Sequence, residues 1–282
     1  MMKIDYPVID MHTHLREYPP LGLRLKNPKN LWNVLGREAY FGRVNTFLYM
    51  ANTDPPLDNV EIIKKSLEIP RYKGVKAIPV SAITKNLEGK EPVDMDNIKP
   101  YVVGFSDDGK CLSDLDILRY VLSKNVLVLA HLEPETEMLK KYLDVFGKVG
   151  GHLHFQHISR KESVDLIRLA KKEGLKITCE TCPHYFYFTY RDMDLIVNPP
   201  LGDGDDLNAI IEGLGDGTID IIASDHAPHD DPFMNGLRGV RVLIPLSSGL
   251  VLKNFLTENQ LKEKLYLNPK KIIESGGYRL KV

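Results

Sequence analysis

Short runs of apolar and β-branched residues alternate along the chain with longer amphipathic or charged stretches. Some of these runs, such as VLVLA and IDIIA, are apolar on both faces, which is typical of parallel strands that are covered on both sides. The pattern predicts repeated βα units with eight strands, at residues 8–14, 46–52, 75–82, 101–106, 126–131, 152–157, 176–181 and 219–225.

The stretch after the sixth predicted strand shows a helical pattern. Ser159 and Glu162 have the spacing of a capping box, and Gly174 stands where a helix would end. Between them, apolar residues form one stripe at helical spacing: Val164, Ile167 and Ala170. Similar patterns predict helices at residues 115–122, 138–146 and 207–214.

Eight βα units favour a closed barrel over an open sheet. An open doubly wound sheet usually carries a glycine-rich phosphate loop after its first strand, and this sequence has His12-Thr13-His14 there instead. At 282 residues with 43% hydrophobic side chains, the chain is long enough for one barrel. We therefore predict an α/β fold, a (β/α)8 TIM barrel, that residues 1–282 form as a single domain.

Charge and composition narrow the class of partner. The 37 Lys and Arg residues nearly balance the 38 Asp and Glu residues, which argues against a nucleic acid or an anionic membrane and favours a small-molecule substrate. The chain has no apolar run that would span a bilayer and begins without a signal-peptide pattern, so we expect a cytoplasmic protein. Three cysteines are too few for a disulfide framework, and we expect Cys179 and Cys182 to be core residues.

Most of the nine histidines lie at the C-terminal ends of predicted strands, the rim where barrel enzymes carry their reacting groups. His12 and His14 are two apart on a strand, so both side chains project to the same face. Taken alone, this pair fits two partly exposed strand histidines as well as it fits a metal site. Four other strand ends add histidines and carboxylates: Asp107, Asp108, His131, His157 and Asp225. The whole set predicts a site for one or two zinc or similar ions.

Other polar residues at or near the strand ends need separate interpretation. His152 and His154 begin the sixth predicted strand, far from the rim, and we expect them to be structural. His184 follows the seventh strand and fits either a structural or a functional role. Asp225, at the end of the last strand, would contact the metal and also exchange a proton with the attacking water.

Eight short motifs follow one another along the chain: DMHTHLR (10–16), ANTDPP (51–56), FSDDG (105–109), HLE (131–133), GHLHFQHIS (151–159), TCETCPH (178–184), VNPPL (197–201) and ASDHAPH (223–229). In this order they resemble the dihydroorotase family of the amidohydrolase superfamily. The resemblance runs from about residue 8 to about residue 273, which is nearly the whole chain.

The resemblance implies a zinc-dependent barrel enzyme that interconverts L-dihydroorotate and N-carbamoyl-L-aspartate in pyrimidine (UMP) synthesis. In many relatives a carboxylated lysine bridges two ions, whereas FSDDG places an aspartate there and resembles the subgroup that needs no modified lysine. The implied ligands are His12, His14 and Asp225 for one ion and His131 and His157 for the other, with Asp108 as the bridge.

The resemblance also implies how the substrate is recognised. Arg16, at the rim, would hold the substrate carboxylate with its planar fork of donors. Asn52 and His229 resemble the family's other carboxylate contacts, and Asn198 resembles the contact to the ring amide. Asp225 would take a proton from the attacking water and deliver it to the leaving nitrogen.

Family members usually carry a small β-sandwich beside the barrel, and this sequence leads us to expect a barrel-only form. The barrel bottom would then be covered in a homo-oligomer or by a partner subunit, and the aspartate subgroup implies aspartate carbamoyltransferase as that partner. Two alternatives stay open: a catalytically silent barrel that serves this partner structurally, and another cyclic amidase such as a hydantoinase. The complete ligand set favours an enzyme, and the carboxylate contacts favour dihydroorotate.

Overall fold

The computed structural model describes residues 4–15, 28–68, 72–228 and 236–280 of the protein. Within these residues, every pair of neighbouring strands is parallel, in the orders β1-β2-β3 and β4-β5-β6-β7. The strands are β1 (Ile9–Thr13), β2 (Thr46–Tyr49), β3 (Lys76–Pro79), β4 (Leu127–Ala130), β5 (His152–Phe155), β6 (Thr178–Thr181) and β7 (Ile221–Ile222).

Isolated bridges close these two sheets into one ring. Phe105 pairs in parallel with Ser81 on one side and with Val128 on the other, which joins β3 to β4. Thr13 pairs with His226, and the backbone N–H of His14 donates to the carbonyl oxygen of His226 at 2.8 Å, which joins β1 to the segment after β7. The predicted α/β barrel is confirmed, whereas the barrel-only form and the single domain stay predictions.

The fourth predicted strand, at residues 101–106, is wrong as a regular strand, although the segment fills the predicted place in the ring. Its backbone bonds reach both neighbours: Phe105 N–H donates to the Leu127 carbonyl at 2.8 Å, and the Gly104 carbonyl accepts from Ser81 at 3.0 Å. A Cβ on Gly104 would lie 2.6 Å from the Leu127 carbonyl oxygen. The segment therefore approaches β4 more closely than a residue with a side chain allows, and its regular pairing is limited to Phe105.

Helices connect the strands, as the sequence pattern predicts, and within the described ranges none is long and apolar enough to cross a bilayer. A 3₁₀ turn lies at Lys85–Leu87, and a π-helical turn at Glu263–Leu267 joins the last two α-helices. The helices are α1 (Pro28–Phe41), α2 (Val60–Leu67), α3 (Met95–Ile98), α4 (Leu115–Ser123), α5 (Glu135–Val149), α6 (Lys161–Lys172), α7 (Pro183–Tyr187), α8 (Gly204–Asp216), α9 (Leu243–Leu252), α10 (Glu258–Lys262) and α11 (Asn268–Ser275).

Two apolar clusters occupy the two faces of the barrel wall. The larger cluster contains one face of the strands, for example Val128, together with helix residues such as Leu118 and Val164. The smaller cluster contains residues of the other face, for example Leu127, together with Ile272 and Ile273 of α11. Because successive strand residues point to opposite faces, the larger cluster lies between strands and helices, and the smaller one fills the barrel where its strands begin. The opposite end is left for polar side chains.

The start of α6 differs from the predicted capping box. The helix begins at Lys161 after Arg160, whose side chain makes no capping bond. Instead, the buried carboxylate of Glu135 accepts hydrogen bonds from the backbone N–H groups of Ser159 and Arg160, and from the Ser159 hydroxyl. A side chain of the preceding helix thus replaces the local cap, because it reaches the free N–H groups at this helix start. The predicted apolar stripe and the end near Gly174 are confirmed.

We expect Glu135→Ala to lower the free energy of unfolding by more than Ser159→Ala does. The first variant leaves the backbone N–H groups of Ser159 and Arg160 without an acceptor, at about 1–3 kcal/mol for each unsatisfied group. The second removes one hydroxyl bond, which is worth about 1 kcal/mol. Urea unfolding of both variants near neutral pH measures the losses, and a larger loss for Ser159→Ala would contradict the arrangement seen here.

Candidate metal centre

All six predicted metal ligands lie at the C-terminal end of the barrel, and all six are buried. Five strand-like segments contribute them, because the carboxyl ends of parallel strands meet at one rim. Two of them lie at the end of β1, and one each lies after the Phe105 segment, β4, β5 and β7. They are His12, His14, Asp108, His131, His157 and Asp225, with exposed fractions from 0% to 8%.

The first group of ligands combines the β1 histidines with two carboxylates. His12 Nε2 lies 2.9 Å from Asp108 Oδ2 and 3.7 Å from Asp225 Oδ1. His14 Nε2 lies 3.2 Å from Asp225 Oδ1 and 3.5 Å from Asp108 Oδ1. Both imidazoles therefore present the same nitrogen to the same pair of carboxylates, as the spacing of the two histidines predicts.

The second group shares Asp108 with the first. His131 Nδ1 lies 2.7 Å from His157 Nε2 and 4.0 Å from Asp108 Oδ2. In each of the two groups, His12–His14–Asp108 and Asp108–His131–His157, the candidate ligand atoms all lie within 4.8 Å of one another. The arrangement fits one cation or two, with Asp108 between them.

The donor set fits a divalent cation on one further observation. Asp108 Oδ2 is buried and, among the described residues, makes no hydrogen bond, although His12 Nε2 lies 2.9 Å away. Buried carboxylate oxygens are almost always hydrogen-bonded or bound to a cation. Atoms that approach each other without the geometry of a hydrogen bond are typical of ligands that converge on a common ion. Histidine nitrogens with carboxylate oxygens are also the donors that zinc prefers.

The electrostatics of the site keep its carboxylates ionised, while at His12 the effect of burial is outweighed by the charges of Asp108 and Asp225, which hold the pKa of that imidazole well above its usual range. Burial would raise the pKa of the Asp108 carboxyl, but the charges of His12 and His14 outweigh it and hold that pKa well below its usual range. The pKa of Asp225 is lowered in the same way. Burial, followed by the charge of His131, lowers the pKa of His157 to about 3. Ionised carboxylates and a neutral imidazole are the forms that ligate a metal.

The two β1 histidines are held by hydrogen bonds on their outer nitrogens. His12 Nδ1 lies 2.7 Å from Glu180 Oε1, and His14 Nδ1 lies 2.9 Å from Asn52 Oδ1. Both partners are oxygens, so the Nδ1 atoms carry the hydrogens and the Nε2 atoms face the centre with free lone pairs. Asn52, predicted as a substrate contact, is therefore placed where it also orients His14.

Two of the ligands have an unusual backbone. His157 has φ +32° and Asp225 has φ +46°, in the left-handed region that residues with a side chain rarely adopt. Such conformations cost about 1–3 kcal/mol and persist where surrounding contacts enforce them, which is common at functional sites. His157 lies two residues after the end of β5 and Asp225 three residues after the end of β7, so the turn at each strand end aims the side chain at the centre.

The remaining predicted substrate residues are placed only in part. Asn198 donates from Nδ2 to Glu133 Oε2 at 3.2 Å, and the same oxygen lies 3.6 Å from His131 Nε2. Asn198 is thus at the rim beside the second ligand group. Arg16 and His229 lie outside the described residues.

The predicted pair Asp107–Asp108 is split between two roles. Asp107 accepts hydrogen bonds from the backbone N–H groups of Ile83 and Thr84 at 2.8 and 3.0 Å, and from the Thr84 hydroxyl at 2.6 Å. It therefore anchors the segment after β3, while its neighbour faces the candidate ions. Adjacent residues point in opposite directions here; the strand-end pattern did not distinguish them, whereas the family resemblance pointed to Asp108.

Sequence reasoning missed Glu180, which is fully buried and bonded to a predicted ligand. Burial would raise the pKa of its carboxyl, but hydrogen bonds from His12 and His154 lower it to about 2. The available signal was a charged residue inside the otherwise uncharged strand TCET. His154, expected to be structural, is the second partner of this carboxylate at 3.1 Å. Cys179 is buried with a free thiol, as expected of a core residue.

His184, whose role the sequence left open, is buried close to the centre. Neither of its ring nitrogens has a hydrogen-bond partner within the part of the chain that the structure describes. Burial lowers the pKa of its imidazole to about 4, and Asp225 and His12 are the charged groups that act on it. The geometry leaves its role open.

Known proteins similar to this chain include dihydroorotases and hydantoinases. The dihydroorotase of Acetivibrio thermocellus is 33% identical over 94% of this chain and 72% of its own length. The L-hydantoinase (dihydropyrimidinase) of Arthrobacter aurescens has a TM-score of 0.77 at 18% identity, over 95% of this chain and 70% of that one. The dihydroorotase of Campylobacter jejuni has a TM-score of 0.76 at 20% identity, over 98% and 85%. No protein-family model matches the chain.

We expect Asp108→Asn to bind less zinc per chain than the unchanged protein and to bind it at least about tenfold more weakly, because an amide group cannot bridge two ions through two oxygens. Asp107→Asn is the matched control, since it makes the same change at the adjacent buried carboxylate. Equilibrium dialysis followed by elemental analysis measures the zinc content. Equal zinc binding by the two variants would contradict the placement of Asp108 in the centre.

Proposed function

The chain belongs to the dihydroorotase family, and from this premise we propose that its buried histidine–carboxylate cluster is the zinc centre of the enzyme. The chain is accordingly a metal-dependent cyclic amide hydrolase, which interconverts L-dihydroorotate and N-carbamoyl-L-aspartate in pyrimidine synthesis. The observation that supports the site is the meeting of six histidine and aspartate side chains, drawn from segments far apart in the sequence, at one end of the barrel.

We assign one ion to His12, His14 and Asp225, and a second to His131 and His157. Asp108 then bridges the two in place of a carboxylated lysine, and the sharing of this residue by both ligand groups supports the assignment. A bound divalent cation supplies Lewis-acid polarisation of the ring amide carbonyl and lowers the pKa of a neighbouring water.

Asp225 is the proton carrier in this proposal. Its carboxylate lies beside His14 Nε2 at 3.2 Å and is held in the ionised form, so it is able to accept a proton from the attacking water. When the carbon–nitrogen bond of the ring breaks, the same carboxyl delivers that proton to the leaving nitrogen. One residue thereby serves as base and then as acid within a turnover.

Recognition of the substrate carboxylate is assigned to Arg16, Asn52 and His229, and that of the ring amide to Asn198. The position of the Asn52 amide supports its role as a substrate contact. Its oxygen is bonded to His14, and its nitrogen, which lies close to Gly109, is the group that would donate to the substrate. A cyclic amide with an acid group is thus the favoured substrate over a hydantoin.

A complete set of buried ligands argues against the silent-barrel alternative, because a barrel with a purely structural role has no need to keep six such side chains together. Cytoplasmic location, a homo-oligomer, and association with aspartate carbamoyltransferase stay predictions from the sequence.

We expect Asp225→Asn to lower kcat for dihydroorotate by about 10²–10⁴-fold, the usual contribution of a general acid–base group. Asp216→Asn is the control, because Asp216 is a partly exposed residue at the end of α8 that forms an ion pair with Arg168 of α6. Steady-state turnover is measured on samples of known zinc content. A near-normal kcat would refute the assignment of Asp225 as proton carrier.

Arg16→Ala is expected to raise KM for dihydroorotate about ten- to a hundredfold, since a charge-assisted bond to a carboxylate contributes about 1.5–3 kcal/mol. Arg119→Ala, which removes an exposed arginine of α4, should leave KM unchanged. Kinetics with dihydroorotate and with hydantoin measure both values. An unchanged KM in Arg16→Ala would argue for a substrate that lacks the acid group.

A further inference from the structure

We propose that Glu180 is a positioning residue of the metal centre, which fixes His12 in the tautomer that binds a cation through Nε2. Glu180 lies in β6 and is fully buried. Its Oε1 is 2.7 Å from His12 Nδ1, and its Oε2 is 3.1 Å from His154 Nε2. The inference deepens the proposed metal centre and rests on it.

The contact with His12 selects one tautomer. A carboxylate only accepts hydrogen bonds, so the proton of a neutral His12 must sit on Nδ1. Its Nε2 then presents a lone pair to the space shared with Asp108 and Asp225. Without Glu180 the two tautomers of a neutral imidazole would compete, and the one with the proton on Nε2 cannot ligate a metal there.

A second neighbour of His12 does not select a tautomer, which leaves the choice to Glu180. Gln156 Nε2 lies 3.2 Å from His12 Nδ1 and 3.4 Å from His12 Nε2, so its N–H is placed to donate to either nitrogen. The Gln156 amide is turned this way by the Ser106 hydroxyl, which donates to its Oε1 at 3.2 Å. At 2.7 Å, the charged Glu180 oxygen is both closer and a stronger partner than the amide.

The Glu180 carboxylate is itself held by a hydrogen bond to the oxygen that does not contact His12. His154 donates from Nε2 to Glu180, and its Nδ1 lies 2.9 Å from the Thr178 hydroxyl, which donates to it when His154 is neutral. Thr178, His154 and Glu180 therefore form a chain of hydrogen bonds that runs up the barrel interior to His12. Because His154 and Glu180 are each bonded on both sides, the position of the carboxylate is fixed before a cation binds.

The Glu180 carboxylate is bonded to a ligand of one ion position only, namely His12. Its ion-pair partners in the described part of the chain are histidines, namely His12 and His154. A buried carboxylate with only imidazoles as partners is stabilised when a dication binds to the far side of one of them. No hydrogen bond or ion pair joins the Glu180 carboxylate to His131 or His157 among the described residues, so we expect the effect at the ion assigned to His12, His14 and Asp225.

The test compares Glu180→Gln with Asp220→Asn. Asp220 directly precedes Ile221, the residue of β7 that pairs with Glu180, and its carboxylate binds Lys171 and the backbone N–H of Cys179. Its replacement controls for the loss of a carboxylate between β6 and β7. Zinc affinity is measured by competition with a chromogenic chelator, and the melting temperature is measured on the metal-free protein.

In Glu180→Gln we expect one zinc to bind about 10–100-fold more weakly, the usual effect of removing a partner of a ligating histidine, while the other zinc is unaffected. Asp220→Asn should keep both zinc affinities. A Glu180→Gln protein with a lower melting temperature but unchanged affinity for both ions would show a merely structural role and overturn the inference. Absence of zinc binding by the unchanged protein would instead refute the proposed function.

A second measurement reads the tautomer directly and needs no metal. Long-range ¹H–¹⁵N correlation of the histidine rings, recorded at a pH high enough to make His12 neutral, should show His12 of the metal-free protein with its proton on Nδ1, and a mixture of tautomers in Glu180→Gln. Identical ring spectra would overturn the inference. If Glu180→Gln does not fold, His154→Leu decides by the same two measurements, since leucine has no group that donates to Glu180 Oε2. A weaker zinc site is then expected, and unchanged affinity and tautomer would refute the role.

Discussion

The buried carboxylate of Asp108 is shared by two sets of imidazoles, and the rest of this site depends on that constraint. Asp108 is buried, and its Oδ2 makes no hydrogen bond among the described residues. A charge in that position is costly unless cations or oriented donors surround it. The histidines supply part of that compensation, and a divalent cation between them supplies the rest.

The neighbouring structure holds the ligand segments in place through other buried carboxylates. Asp107 ties down the segment after β3 with three hydrogen bonds, directly before Asp108. Glu135 holds Ser159, two residues after His157, and the Ile158 N–H donates to the Glu180 carbonyl at 2.8 Å. These bonds explain how His157 keeps a positive φ: the chain on its C-terminal side is fixed by partners from α5 and β6.

The barrel is shared with hydantoinases and dihydroorotases alike, so the fold does not decide which cyclic amide is bound. Family membership comes from sequence identity over nearly the whole chain. Within the family, the metal cluster provides the chemistry common to amide hydrolysis, and the rim side chains provide the discrimination. Those rim groups act at the ends of loops, where exchange of a few side chains changes the ligand without disturbing the core.

The sequence by itself predicted the barrel and the meeting of six histidine and aspartate side chains at one rim. Alternation of apolar runs with amphipathic stretches predicts βα units, and the closing of parallel strands into a ring sends every strand's C-terminal end to one rim. Residues such as His12 and Asp225 were therefore expected to meet although they lie far apart in the chain. The irregular fourth segment escaped prediction, because the close approach of Gly104 to β4 depends on how two segments pack.

Only the tertiary structure decided which side chains support those ligands. Of the pair Asp107 and Asp108, one faces the centre and the other binds a neighbouring loop, and a local pattern cannot tell them apart. Ser159 looks like a helix cap until Glu135 is seen to reach it. Glu180 and His12 are 168 residues apart, and their bond exists because β6 and β1 lie on either side of β7 in the closed ring. Hydrogen bonds of this kind follow from three-dimensional distance, which the spacing of residues along one chain does not encode.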